Sequence, residues 1–159
     1  MTLSDLFESF QVSAFRLEGL PTYAVPDEGG ALRHYKAYGQ LPVGFNKDWA
    51  EFVKEKINDG KVIQRLRLLS SELTEYEQFE LHVYKTAKNG EDIRFSNRAN
   101  YPYTNDFWLF DNKWLARMNY DDEGRFIDSV ISEVSESDQK INYWMDVYAV
   151  SPEITKLNA

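Results

Sequence analysis

Two arginines on one predicted strand are the residues whose type and spacing point most clearly to binding chemistry. Arg65 and Arg67 lie two positions apart in the segment KVIQRLRLL, and alternate residues of a strand point to the same face. Because a central strand is mostly apolar, guanidinium groups there need carboxylates beside them. The pair therefore predicts either a structural network of ion pairs or a site for a phosphate or carboxylate ligand.

The residues that would complete such a site come from later parts of the chain. Arg94, on the short predicted strand 92–95, would add a third guanidinium group to an anion clamp. Such sheets bind ligands beyond the carboxyl ends of their strands, so we expect the site there. An aromatic wall, unless the rings belong to the core, would consist of Trp108, Trp114, Tyr101 and Tyr103. The candidate carboxylates, of which Asp106 or Glu91 would be the acid or base of an enzyme, are Glu80, Glu91, Asp92, Asp106 and Asp111.

Other common chemistries lack their residues in this sequence. Two histidines without any cysteine argue against a zinc site, and no disulfide can form. Neither of the glycine-rich motifs that bind nucleotide phosphates is present. The segment DDEG (121–124) carries three acids, but it is typical of a hairpin turn. We therefore expect no metal and no cofactor, and we assign no catalytic residue.

The segment His34-Tyr35-Lys36 has the H-x-K spacing used by phosphodiesterases of the phospholipase D type. In those enzymes an aspartate follows after four more residues, and here that position is Leu41. The segment also reads as a helix, whereas that chemistry uses the edge between a strand and a loop. The match is therefore interpreted as a coincidence of spacing.

The stretch DFWLFDNKWLARMNY (106–120) organises the predicted fold. Its apolar run 107–110 is typical of a strand that is covered on both faces. Asp111 and Asn112 form a turn signal, and the alternating residues 114–120 predict a second strand with one drier face. With a third strand at 125–131, these residues predict a β-meander over 106–131.

Amphipathic helices are predicted before, between and after the remaining strands. The first of these helices starts at Asp48 and is followed by strand 61–69. The second starts at the capping box of Thr74 and Glu77 and is followed by strand 92–95. A last helix, capped by Ser135, follows the meander. Helix–strand–helix–strand order favours a parallel pair joined by a crossover. We predict an α/β fold with a mixed sheet, helices on both faces and a short helical N-terminal arm.

The predicted arm covers residues 1–45 and packs, within a single domain 1–159, on an α/β core at 46–150. It contains a first helix opened by Thr2 and Asp5, a short strand in SAFRLE (13–18), and a second helix with Asp27 at its N-cap. Phe15 and Leu17 alternate with Arg16 and Glu18 in that strand.

Composition and charge limit the partners of this protein. The net charge of −8 opposes direct binding of nucleic acid or anionic lipid and suits a basic protein partner. No apolar run is long enough to cross a membrane, and no apolar segment of a signal peptide opens the chain. With no cysteine in 159 residues, a cytoplasmic location is expected; the oligomeric state cannot be read from the sequence.

Several motifs together resemble a family of short bacterial proteins of unassigned function, over about residues 10–150. They are SAFRLE (13–18) with Tyr23, RLRL (65–68), LTEY (73–76) with Phe79 and Glu80, GEDIR (90–94) and DFWLFD (106–111). Members look like companions of helix-turn-helix regulators, near which they are often encoded. The resemblance maps the arginine-rich strand and the acidic hairpin of the family onto Arg65, Arg67, Arg94, Asp106 and Asp111.

The order of elements also resembles one half of a phospholipase D-type domain, without its catalytic histidine and lysine. This likeness favours a binding domain over an enzyme. The leading hypothesis is a non-catalytic cytoplasmic binding or regulatory domain that acts through a protein partner, such as a helix-turn-helix regulator. The alternative is a sensor or enzyme for a small anion, held by a clamp of Arg65, Arg67 and Arg94.

Overall fold

The computed structural model describes residues 1–26, 28–87, 89–103, 105–135 and 137–158. These residues form five α-helices and six strands. The helices are α1 Leu3–Ser9, α2 Gly29–Tyr38, α3 Lys47–Asn58, α4 Glu75–Thr86 and α5 Gln139–Val150. The strands are β1 Ser13–Glu18, β2 Val62–Leu69, β3 Asp92–Asn97, β4 Asp106–Phe110, β5 Trp114–Tyr120 and β6 Phe126–Glu133. Short 3₁₀ turns cover Arg98–Asn100 and Ile154–Lys156.

The six strands form one mixed sheet in the order β3-β2-β1-β4-β5-β6. Strands β1, β2 and β3 are parallel, and β4, β5 and β6 continue the sheet as an antiparallel meander. The predicted α/β fold with a mixed sheet is therefore confirmed. The position of β1 was not expected, because this strand of the predicted arm lies inside the sheet, between β2 and β4.

Helices cover both faces of the sheet, and the alternation along each strand decides which side chains meet them. On one face, α5 packs through Trp144 and Tyr148 on a core that includes Phe15, Leu66 and Leu109. The opposite face carries α1 and α3, whose Leu6 and Val53 contact Ile63 and Phe110. Helix α4 lies on that second face as well, where its Phe79 packs with Tyr23.

Local sequence signals place several ends of elements correctly. The capping boxes of Thr2 with Asp5 and of Thr74 with Glu77 open α1 and α4. Helix α5 starts later than predicted, because Asp138 accepts hydrogen bonds from the backbone N–H groups of Lys140 and Ile141 and is the N-cap in place of Ser135. Asp27, the predicted cap of α2, lies outside the described residues.

The two hairpins of the meander are closed by the turn residues that the sequence indicated. Asp111 and Asn112 both adopt positive φ angles, of 56° and 53°, between β4 and β5. Gly124, with φ of 79°, turns the chain from β5 to β6, and its carbonyl accepts a hydrogen bond from the N–H of Ala24. This contact fixes the segment after β1 against the meander. In the described part of the chain, no helix is long and apolar enough to cross a membrane.

Candidate functional site

Charged residues of adjacent strands converge on the face of the sheet that carries α3 and α4. In the parallel register of β1 and β2, Arg16 lies opposite Arg65, and Glu18 lies opposite Arg67. Their apolar neighbours Phe15 and Leu17 point to the α5 face, because successive strand residues alternate. Three arginines are thus brought together within a sheet interior, which requires carboxylates between them.

Asp106 provides one of these carboxylates from the start of β4. Because β4 runs antiparallel to β1, its first residue lies next to the end of β1, where Asp106 Oδ1 accepts a hydrogen bond from the N–H of Gly19 at 2.9 Å. Asp106 Oδ2 accepts from Arg16 Nη2 at 2.9 Å and from the hydroxyl of Tyr23. Asp106 is only 1% exposed, and both of its carboxylate oxygens accept hydrogen bonds from within the protein.

Glu18 and Glu80 together hold Arg67, which is completely buried. Arg67 Nε lies 2.6 Å from Glu80 Oε1 and 3.4 Å from Glu18 Oε1. The hydroxyl of Tyr84 donates to Glu18 Oε1 at 2.5 Å and lies 3.1 Å from Glu80 Oε2. The two carboxyl groups therefore lie close together around one guanidinium group and one hydroxyl group.

Arg65 is bound between Glu18 and Glu91. Its Nη1 donates to Glu18 Oε2 at 3.0 Å and its Nε to Glu91 Oε1 at 2.9 Å. Glu91 also accepts a hydrogen bond from Trp49 Nε1 at 3.3 Å, which ties α3 to the start of β3. The guanidinium group of Arg65 lies over the rings of both Tyr84 and Trp108, at 5.2 and 5.6 Å from their centroids.

The residues of this buried network are the arginines Arg16, Arg65 and Arg67 and the acids Glu18, Glu80, Glu91 and Asp106. If all seven were charged, the network would carry one net negative charge. Burial and the neighbouring Glu18 raise the pKa of Glu80 to about 8, against the pull of Arg67. Burial also opposes ionisation of Glu18, but Arg65, Arg67 and Arg16 overcome it and lower the pKa of Glu18. Glu80 is therefore the group that holds the balancing proton near neutral pH.

Replacing Glu80 by glutamine should remove a pH dependence of stability. Because the native state binds the proton of Glu80 more tightly than the unfolded chain, the stability from this proton is present below the ordinary pKa of 4.5 and is lost as the pH rises through about 8. The wild-type loss of unfolding free energy between about pH 5 and about pH 9 should exceed that of Glu80→Gln by roughly 4 kcal/mol. Urea unfolding at several pH values measures this difference.

Glu75→Gln is the matched control, because Glu75 lies on the same helix with its side chain 72% exposed. It should reproduce the wild-type pH profile. Identical profiles for Glu80→Gln and the wild type would contradict a protonated Glu80.

A cavity of about 460 Å³ lies beside this network, between the sheet, α4 and the segment that follows β1. Its volume falls in the range typical of small-molecule sites, roughly 300–1,000 Å³. Of the described residues that line it, two are arginines, Arg16 and Arg65, and four are glutamates. The glutamates are Glu18, Glu28, Glu80 and Glu91. The aromatic lining residues are Tyr23, Trp49, Tyr76, Tyr84, Trp108, Tyr120 and Phe126.

Most residues expected at the site meet there. The structure brings together Arg65, Arg67, Glu80, Glu91, Asp106 and Trp108, and all but Arg67 and Asp106 line the cavity. The expected arrangement differs in one respect, because the strand next to β4 is β1 and not β2. Asp106 therefore pairs with Arg16 of β1, while Arg65 and Arg67 lie one strand further away.

Arg94 is not part of this cluster. The register of β2 and β3 places Arg94 opposite Leu66, a residue of the α5 face, whereas Ile93 lies opposite Arg65. Arg94 instead pairs with Asp92 at 3.2 Å and stacks on the ring of Tyr148 of α5 at 4.3 Å. The clamp of three arginines that the sequence suggested is therefore not formed, because the parity of the register turns Arg94 to the other face.

Asp111 also lies away from the cluster, at the opposite end of β4. Its carboxylate accepts hydrogen bonds from the backbone N–H groups of Gln11, Val12 and Ser13, at 2.7 to 3.2 Å. It therefore ties the β4–β5 turn to the start of β1. The predicted aromatic wall is divided too: Trp108 and Trp114 belong to the α3 face, while Tyr101 and Tyr103 pack on the α5 core.

Sequence reasoning missed Arg16, Glu18, Glu28 and Tyr84 as site residues. The alternation of Arg16 and Glu18 with Phe15 and Leu17 was visible, but it also fits a strand with one solvent-exposed face. Only the insertion of β1 between β2 and β4 makes that polar face an interior one. The signal that could have identified Arg16 and Glu18 is the alternation of charged residues in β1, which matches the alternation of Arg65 and Arg67 in β2.

His34 and Lys36 lie on helix α2, as predicted, and not at the edge between a strand and a loop that phospholipase D chemistry uses. Lys36 pairs with Glu75 at 3.0 Å with half of its side chain exposed, and His34 Nδ1 lies 2.9 Å from the carbonyl oxygen of Gln40. Within the described part of the chain, no group of three or more histidine, aspartate or glutamate residues is arranged to hold a metal ion.

The fold of this chain is similar to that of a phospholipase D family member of known structure. The solved structure of Nuc, a phospholipase D family member from Salmonella typhimurium, matches this chain with a TM-score of 0.55 and 11% sequence identity. The match covers 94% of this chain and 86% of that chain, and at this identity it shows the fold alone.

The chain itself belongs to the family DUF6879, a domain of unknown function, whose model matches residues 1–153. This match agrees with the resemblance found in the sequence motifs. No curated protein matches the chain.

Proposed function

We propose that this chain is a non-catalytic binding domain that holds a small organic cation in the cavity beside the buried network. The observation that carries the proposal is the excess of glutamates over arginines in an aromatic-lined cavity. Carboxylates and aromatic faces are the groups that recognise amines and quaternary ammonium ions in proteins.

The state of the arginines favours a cation over an anion as the ligand. Arg67 is completely buried within the network, so it cannot contact a ligand. Arg65 already donates hydrogen bonds through Nε and Nη1 to two glutamates. Arg94, the third member of the suggested anion clamp, lies on the other face of the sheet. An incoming anion would be repelled by the resident carboxylates of Glu18, Glu28 and Glu91, whereas a cation would complement them.

The cost of the network supports a functional role for it. In the described chain, Nη1 of Arg16 and Nη2 of Arg67 are buried without a hydrogen-bond partner. An unpaired buried donor costs roughly 1–3 kcal/mol. A hydrophobic core of the same volume would avoid that cost, and departures of this kind are typical of functional sites.

The binding domain would report its ligand to a protein partner in the cytoplasm. The net charge of −8 supports a partner with a basic surface, and the motif resemblance points to a helix-turn-helix regulator. Direct binding of nucleic acid is not expected, because Arg65 and Arg67 are buried and therefore form no basic patch. Pull-down from the native host at low salt should recover such a regulator, and recovery of no protein would count against this part of the proposal.

Three small molecules of similar shape and different charge test the ligand class. Benzylammonium, benzyl alcohol and benzoate carry charges of about +1, 0 and −1 near pH 7. At about ten times its dissociation constant, benzylammonium should stabilise the protein by about 1.4 kcal/mol and raise its melting temperature by about 3–6 °C. Benzyl alcohol should give a smaller shift, and benzoate none.

Glu28→Gln should weaken benzylammonium binding about tenfold. Glu28 lines the cavity, accepts a hydrogen bond from Tyr76 at 2.8 Å, and has its pKa raised by burial. Glutamine keeps the size of the side chain and removes the charge. Glu75→Gln, outside the cavity, should bind as the wild type does. A larger shift with benzoate than with benzylammonium would overturn the proposal in favour of an anion site.

A further inference from the structure

The two edges of the sheet differ in how they are protected. The edge of β3 is covered by the C-terminal segment, in which Glu153 bridges to Arg94 and the carbonyl of Pro152 accepts a hydrogen bond from the N–H of Phe95. Strand β6 forms the other edge, and no described strand pairs with its outer side. Its outward N–H and C=O groups are therefore available to a further strand.

Strand β6 lacks the usual protection of an exposed edge. Natural edge strands carry lysine, proline or a central bulge, which prevent pairing with another chain. The eight residues FIDSVISE contain neither proline nor a basic residue, and their charged side chains are the acids Asp128 and Glu133. The register shift against β5 lies near their start, where Ile127 has no partner in β5. Three apolar side chains are exposed on them: Phe126 by 52%, Ile127 by 62% and Val130 by 47%.

Two copies of β6 can pair in antiparallel orientation with Ser129 of one copy opposite Ser129 of the other, and the facing side chains are then compatible. In an antiparallel pair centred on that residue, Ile127 lies opposite Ile131 of the second copy, and Arg125, the residue just before β6, lies opposite Glu133 of the second copy. Each of these pairs occurs twice because of the two-fold symmetry. Asp128 lies opposite Val130 of the second copy, so no like charges face each other directly.

We propose that β6 pairs in antiparallel fashion with β6 of a second copy of this chain, about a two-fold axis through Ser129. The result is one continuous sheet of two subunits. The charges favour a second copy over an unrelated basic strand, because a basic strand would place a cation opposite Arg125. The present contacts of Arg125 with Asp121 and of Glu133 with Lys113 are exposed ion pairs, which are weak enough to be exchanged.

The molar mass of the full chain as a function of concentration tests the pairing. Sedimentation equilibrium of the wild type should give twice the monomer mass of 18.6 kDa, with half-association below about 100 μM, within the range of moderate protein affinities. A monomer at every concentration up to about 500 μM would overturn the proposal.

Two lysine substitutions at exposed positions test the register. Ile127→Lys should raise the dimer dissociation constant at least about tenfold, because each lysine would face Ile131 of the second copy. Val130→Lys should leave the constant unchanged or lower it, because each lysine would face Asp128 of the second copy. Equal weakening by both variants, with circular dichroism spectra like the wild type, would contradict the register and with it the proposal.

A charge exchange provides a second test that conserves composition. Arg125→Glu alone should raise the dissociation constant about three- to tenfold, because it places two acids opposite each other. The double variant Arg125→Glu with Glu133→Arg should return to within about twofold of the wild type, because it restores the opposite pair. Additive weakening in the double variant would contradict the proposed pairing.

Discussion

Replacing Arg67 by methionine should destabilise the protein by about 3–5 kcal/mol, the cost expected when one member of a buried ion pair is removed. Arg67 has no exposed surface, and its Nε lies 3.4 Å from the carboxylate of Glu18 and 2.6 Å from the carboxyl group of Glu80. Methionine has a similar length and is apolar, so the main change is the loss of charge. The free energy of unfolding from urea titration measures the effect.

A second arginine on the same sheet serves as the control for Arg67. Arg94→Met should cost about 1 kcal/mol or less, because the Arg94 and Asp92 side chains are 25% and 34% exposed and solvent screens their attraction. Adding Glu80→Gln to Arg67→Met should recover part of the lost stability, since it removes an uncompensated carboxyl group. Equal small losses for Arg67→Met and Arg94→Met would show that the network does not contribute as described.

Replacing Asp106 by alanine should also cost about 3–5 kcal/mol, because Arg16 would remain buried without its nearest carboxylate. The substitution also removes the acceptor for the N–H of Gly19 at 2.9 Å and for the hydroxyl of Tyr103 at 2.5 Å. Gly19, and Tyr23 whose hydroxyl also donates to Asp106, belong to the segment that leaves β1 toward the cavity. We therefore expect Asp106→Ala to lose benzylammonium binding as well as stability.

Asp111 gives the matched control at the other end of β4. Asp111→Ala removes hydrogen bonds to three backbone N–H groups at a partly exposed turn, and it should cost about 1 kcal/mol without changing ligand binding. If Asp106→Ala does not fold, Asp106→Asn keeps the size of the side chain and should still lose more stability than Asp111→Ala. Equal losses for Asp106→Asn and Asp111→Ala would contradict the account of the buried network.

Local patterns in the sequence were sufficient for most elements of the fold. The alternation in β2 correctly placed Arg65 and Arg67 on one face, and the capping box at Thr74 correctly opened α4. The turn residues Asp111 and Asn112 correctly ended β4. These features depend on the conformational preferences of a few neighbouring residues, and the rest of the chain does not alter them.

The order of strands and their register could not be obtained in this way. The central place of β1 depends on pairing with residues about 50 and 90 positions away, which no local pattern encodes. The face of Arg94 depends on a register in which one residue of shift reverses every side chain. For these reasons Arg94 was predicted in the site, and Arg16 and Glu18 were not.

The most direct test of the binding cavity is the ¹⁵N–¹H spectrum of the four tryptophan indoles during titration with benzylammonium. Trp49 and Trp108 line the cavity, whereas Trp114 and Trp144 are outside its lining and act as internal references. Single Trp→Phe variants assign the four signals. The cavity account predicts that the signals of Trp49 and Trp108 shift and saturate together, while the other two stay fixed and benzoate moves none. Shifts confined to Trp114 or Trp144, or no shift at saturating benzylammonium, would contradict it.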